Sequence, residues 1–250
     1  MPVDGLTIAY IVISILILIG LIVALIVQLT LIIRYQKYNK LHLSSGLTSM
    51  QTARRLLDAN GLQDVEIKKL GIIRRLLLFG NHYSVMKNTI YLRKNILNSS
   101  SVTAVGIATQ KVCLAIQHKN NDHDFKTRYT LQILSFLSPL FFYCFVIIGL
   151  IIDIVTKFSG VPTLIGIIIG FVFYLVIILF QIFNIKVEKK ANQQAIDILR
   201  NSHIFEEFEI DTLQRLLNLY IVGDIIALII SILKIIQQIL KLLILAKKNN

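Results

Sequence analysis

Tryptophan is absent from these 250 residues, and cysteine occurs only twice. The missing tryptophan accompanies a bias toward Ile, Asn, Lys and Leu, which is the mark of an AT-rich bacterial genome and carries no chemistry. Cys113 and Cys144 are too few for a disulfide framework, and Cys144 lies inside an apolar run. Acids are scarce as well: 14 Asp and Glu stand against 26 Lys and Arg, a formal charge of +12. The imbalance is concentrated between Arg34 and Arg128, where sixteen basic residues meet five acidic ones, a local +11. Such a stretch invites comparison with nucleic-acid-binding proteins, but no nucleic-acid motif accompanies it. The reading is therefore no nucleic acid, and a domain lying against anionic lipid headgroups. No internal repeat is visible.

What the chain has in excess is apolar length. Hydrophobic residues make up 55%, above the roughly 45–50% of soluble domains, and they gather in long uncharged runs. Residues 6–33 contain no charge. At about 1.5 Å per residue they exceed the roughly 30 Å hydrocarbon core. No basic n-region precedes them and no small-residue cleavage pattern follows, so this is an anchor and not a signal peptide. Asp4 lies before the run and Arg34, Lys37 and Lys40 after it. The positive-inside rule then places the N-terminus outside and the following residues in the cytoplasm. Residues 131–152 and 162–183 are further membrane runs, joined by a short turn with Asp153, Lys157, Gly160 and Pro162. Residues 186–215 read as a polar helical stretch. Residues 216–245 are apolar but carry Asp224, Lys234 and Lys241. They suit either one spanning helix or a shorter span followed by a surface helix.

Between the first two runs the pattern is that of a compact α+β domain. Thr48 and Gln51 form a capping-box pair, and Asn60-Gly61 stops the helix they start. Val65-Glu66-Ile67 and Thr89-Ile90-Tyr91-Leu92 read as strands. Ser99 to Ser101 can cap a helix over residues 102–118, ended by the polar stretch 119–124. The expected organisation is an anchor (1–33), a cytoplasmic domain (34–130), a transmembrane hairpin (131–183), a cytoplasmic helical segment (184–215) and a C-terminal membrane helix (216–250). The expected class is a mainly α, multi-pass plasma-membrane protein with about four transmembrane helices and a small α+β domain.

Several stretches carry a family resemblance. They are Ser44-Ser45-Gly46-Leu47-Thr48, Ala53-Arg54-Arg55-Leu56-Leu57-Asp58-Ala59-Asn60-Gly61-Leu62, His82-Tyr83 with Asn88-Thr89-Ile90-Tyr91-Leu92, Ala115-Ile116-Gln117-His118, and Val187-Glu188 with Ala191 and Ala195. In order and spacing they resemble the bacterial membrane-bound neutral zinc metallopeptidases along nearly the whole chain. The resemblance implies a zincin-like domain whose catalytic helix carries H-E-x-x-H just before A-I-Q-H. There, two His one turn apart bind zinc and the Glu activates its water. In this sequence the corresponding positions are Gln110, Lys111 and Leu114. The family's Asp residues flanking His-Tyr become Asn81 and Ser84, and its Gly within the motif becomes Cys113. Glu188, the third ligand implied by the resemblance, is retained, next to Lys189, Lys190, Asn192 and Gln193.

The expectation is a pseudo-peptidase with no catalytic residue, no cofactor and no bound metal. It would serve for binding or scaffolding in the bilayer, with a membrane protein or an active protease as partner. The alternative is an active zinc endopeptidase with a displaced site, drawn from His118, His82, His123, His203, Cys113, Glu188 and Asp197. Zinc would then be the cofactor. A lower alternative is a small transport component using Asp153 or Asp224. Cys113 as a nucleophile is disfavoured, because position 117 offers Gln and not a base; a small buried side chain is the plainer reading.

Overall fold

The computed structural model describes residues 4–71, 80–156 and 160–249. Lys157 of the expected hairpin turn, and Arg74 and Arg75 of the basic stretch, lie outside them. The elements in chain order are α1 (Gly5–Tyr38), α2 (Ser49–Ala59), β1 (Glu66–Lys69), β2 (His82–Ser84), β3 (Thr89–Leu92), α3 (Lys94–Leu97), α4 (Val102–Lys119), α5 (His123–Val155), α6 (Val161–Asn201) and α7 (Glu207–Asn249). The protein is mainly helical, and α1, α5, α6 and α7 are each long and apolar enough to cross a membrane.

The chain divides into two compact units, one of Met1–Ile17, His123–Lys186 and Leu228–Asn250, the other of Leu18–Asp122 and Val187–Ala227. The first consists of membrane helices. α5 and α6 pack closely because Gly149 and Gly166 lack side chains: a Cβ would lie 2.6 Å from the Pro162 carbonyl oxygen at Gly149 and 2.5 Å from the Phe145 carbonyl oxygen at Gly166. Small residues at such crossings let membrane helices gain van der Waals contact that lipid cannot supply. Asp153 accepts hydrogen bonds from the amides of Gly160 (2.9 Å) and Thr163 (3.0 Å) and from the Thr163 hydroxyl. Its carboxylate therefore caps the start of α6, which accounts for a buried acid at the hairpin.

The second unit holds the small mixed sheet. Strand order is β1-β3-β2, with β1 parallel to β3 (Ile67 opposite Ile90) and β2 antiparallel to it (Tyr83 opposite Ile90). All four residues of the central β3 are buried. The capping box at Thr48 and Gln51 forms as the sequence predicts, and Gly61 follows α2 at φ +65°, a conformation glycine adopts without strain. Lys119, at the end of α4, donates to the carbonyls of Asn60 (2.7 Å) and Gly61 (2.9 Å) and so ties the two helix ends together.

Ser101 caps α4 by accepting from the Ala104 amide at 3.2 Å. Every residue from Val102 to Gln110 is then buried, so α4 is the central helix of this unit. A core of Val102, Val105, Leu199, Ile210, Leu213 and Leu217, among others, joins α4 to α6 and α7. Gly106 makes the fit possible: a Cβ there would lie 2.2 Å from Leu213 Cδ1.

Two helix ends fall away from the changes in composition. The helix that carries the third membrane run continues past residue 183 without a break, and residues 184–215 are shared between it and the next helix. α6 continues to Asn201 and α7 starts at Glu207. No Gly or Pro lies between Phe183 and Asn201, so the change from apolar to polar composition alters the helix's surroundings and not its backbone. The break falls where His203 adopts φ +52°, and the Glu209 carboxylate accepts from the Glu206 amide at 2.8 Å to start α7. α7 is one continuous helix through residues 216–245.

Candidate functional site

The middle and last turns of α4 face the polar part of α6. Gln110, 6% exposed, donates from Nε2 to Glu188 Oε2. The Lys111 ammonium lies 3.5 Å from the same oxygen, and the two side chains are only 13% and 18% exposed. Asp224 of α7 is half-buried and within electrostatic reach of both Glu188 and Lys111. One turn along α4 from Gln110, Leu114 is 2% exposed and belongs to the apolar core. Gln117 donates to Gln194 Oε1 at 2.9 Å, a second amide link between α4 and α6. The side chain of Asn192, also buried, reaches the Leu217 carbonyl at 3.4 Å.

The histidines are elsewhere. His118 Nδ1 lies 2.9 Å from the Tyr83 hydroxyl, which donates to Asn88 Oδ1 at 2.7 Å. Asn88 in turn donates to Asp64 at 2.6 Å. The Asp64 carboxylate only accepts, so it fixes the amide, the amide fixes the hydroxyl proton, and Nδ1 of His118 is the protonated nitrogen in this contact. Burial, with the Asp64 charge adding, pushes the Tyr83 phenol up to about 12 and keeps it a neutral donor. His82 donates from Nδ1 to the Gly80 carbonyl at 2.8 Å and stacks on Tyr91. His123, Asp197 and His203 are exposed. Cys113 is fully buried, and burial together with the nearby Asp197 charge pushes its thiol up to about 12. At that value it is no nucleophile, and it fills space in the helix core. Among the described residues, no three of His, Cys, Asp and Glu come together as a metal-binding group.

Of the residues singled out in the sequence, the fold unites Gln110, Lys111 and Glu188, and it does not bring the histidines to them. Lys190 pairs with Asp122, Asn81 accepts from the Arg93 amide at 2.8 Å, and Lys189 and Gln193 face outward. Sequence reasoning missed the approach of Asp224 to this cluster and the Gln117–Gln194 bond. An acid interrupting an apolar helix was the only available signal for the first.

Residues 13–244 match the family described as "Putative neutral zinc metallopeptidase". The chain belongs to this family. It is also 25% identical over 207 residues to the protein named "Putative membrane protease YugP" of Bacillus subtilis (strain 168), an alignment covering 81% of this chain and 84% of that protein. No solved structure matches the chain.

Membership in a zinc metallopeptidase family poses a direct question to the Gln110–Glu188 cluster. Zinc in such sites takes imidazole nitrogen, thiolate sulfur or carboxylate oxygen, with one position left for water. Here the residues offer the carboxylates of Glu188 and Asp224 and one amide, with no imidazole or thiolate, and Glu188 already faces an ammonium group. An ammonium has three donors and no lone pair. Leu114 contributes no donor atom. This set does not fit a zinc ion.

Proposed function

We propose that this protein is a membrane-embedded pseudo-metallopeptidase, a non-catalytic binding or scaffolding member of its family. The observation that carries the reading is the Lys111–Glu188 ion pair, with Gln110 bonded to the same carboxylate. Lys111 supplies a fixed cation beside the residue that resemblance makes a zinc ligand, so the carboxylate is neutralised without metal. Lysine at this position also removes the general base that would activate water.

Its place is the plasma membrane, with the N-terminus outside and residues 34–130 in the cytoplasm, supported by the basic residues on one side of the membrane runs. The partner is a membrane protein or an active protease. The lower transport reading loses Asp153, which caps a helix.

The test is the metal content of the detergent-purified chain, measured by mass spectrometry, together with casein proteolysis. The expected result is no stoichiometric zinc and no chelator-sensitive cleavage. One tightly held zinc per chain, or proteolysis abolished by a chelator, overturns the proposal and favours a displaced active site.

A further inference from the structure

The membrane unit contains a groove of about 670 Å³ between α5, α6 and α7, with Phe142, Tyr143, Phe171, Tyr174, Lys234 and Gln238 among the residues that line it. No carboxylate lines this groove, and Lys234 makes no ion pair among the described residues. Lys234 is exposed on its helix. By hydropathy the groove lies at the level of the middle of the apolar runs, on two registers. Residues 131–152 of α5 are apolar with their midpoint at 141–142, and residues 162–183 of α6 have theirs at 172–173. The lining side chains Phe142, Phe171 and Tyr174 cluster at those midpoints. α7 agrees: Lys234 precedes Lys247 by thirteen residues, and Lys247 pairs with Asp4 at 2.9 Å, so the lysine lies about 20 Å along the helix from that ion pair.

A lysine at this depth is costly unless a counter-charge meets it. Lipid phosphates lie outside the roughly 30 Å hydrocarbon core, so a headgroup is a poor match for a cation at its centre. A second copy of the chain brings another Lys234 to the same depth. A carboxylate carried in the middle of a partner's transmembrane helix meets both the charge and the depth, and aromatic walls with Gln238 suit a packed helix with one polar residue.

We propose that the α5–α6–α7 groove docks a transmembrane helix of another protein through an ion pair between Lys234 and a mid-membrane Asp or Glu. The proposal rests on the binding-protein reading above and names the class of partner.

The test uses the purified full-length chain, labelled and reconstituted in phosphatidylcholine vesicles. The probes are transmembrane polyleucine peptides carrying one central Glu or one central Gln, with association read by energy transfer. The Glu peptide is expected to associate about tenfold more tightly than the Gln peptide. Lys234→Met should remove that preference and Lys234→Arg should keep it. Equal association of the two peptides, or a preference that survives Lys234→Met, overturns the proposal. So does loss of the preference when phosphatidylglycerol replaces phosphatidylcholine, which assigns the groove to a net-anionic lipid headgroup, or energy transfer between copies of the chain that excludes both peptides. Zinc measured on the same preparation separates the two readings: stoichiometric zinc with an intact Glu preference overturns the pseudo-peptidase alone.

Discussion

In α5, Ile148 and Leu150 are 50% and 47% exposed, whereas Leu57, Ile90 and Leu92 of the sheet-bearing unit are fully buried. The same kinds of side chain face outward along the long apolar helices and inward around the sheet. The difference is the surroundings each region is built for. Where water is outside, apolar area must be hidden, and removing it leaves a cavity. Where lipid is outside, an exposed Leu costs nothing, and stability comes from close helix crossings such as Gly149 and Gly166. The rules for buried polar groups differ less. Asp153 in the membrane unit and Glu188 in the other are both held by several donors.

This contrast yields predictions of decreasing size. Glu188→Ala leaves the Lys111 ammonium enclosed without its partner and should cost about 3 kcal/mol of stability, seen as a lower unfolding midpoint in detergent. The double variant Lys111→Met, Glu188→Met should recover most of that loss, since replacing both charges with apolar groups removes the desolvation cost with the pair. Full loss in the double variant would mean that the ion pair itself, and not its isolation, stabilises the unit. Gly106→Ala comes next. The clash with Leu213 should outweigh the roughly 1 kcal/mol gained in helix propensity and leave a net loss of about 1 kcal/mol. Thermal unfolding detects it, and a stabilised variant would show that α4 and α7 separate easily. Smallest is Leu150→Ala on the lipid face, expected within about 0.5 kcal/mol of the parent protein. A loss like that of a water-excluded core residue would show that α5 is covered by protein and not by lipid.

Legibility in the sequence followed the range of the interactions. Thr48 with Gln51, and Ser101 before Val102, act within one turn, and both caps form where the pattern predicts them. β1 and β3 could be read because each alternates or gathers β-formers locally. β2 was not read: it is three residues long and exists through its pairing with β3. The change in composition at residue 183 does not mark the end of α6, because hydropathy reports the helix's surroundings and Gly or Pro reports its end. The site depended on resemblance. Gln110 and Glu188 are 78 residues apart, and no local pattern joins them. Resemblance pointed to the positions, but their residues had to be read chemically, since the fold supplies a lysine where the family motif has its acid.

The enclosed lysine also bears on how this chain can change. A single replacement of Lys111 by Glu would set two carboxylates against each other beside Asp224 with no cation between them. Replacing Gln110 alone by His removes the amide donor that Glu188 now uses, and replacing Leu114 alone by His inserts a polar ring into a site that is 2% exposed. Each single replacement therefore disturbs a contact that the fold now uses, and the Lys111–Glu188 pair couples these positions so that a change at one is felt at the others.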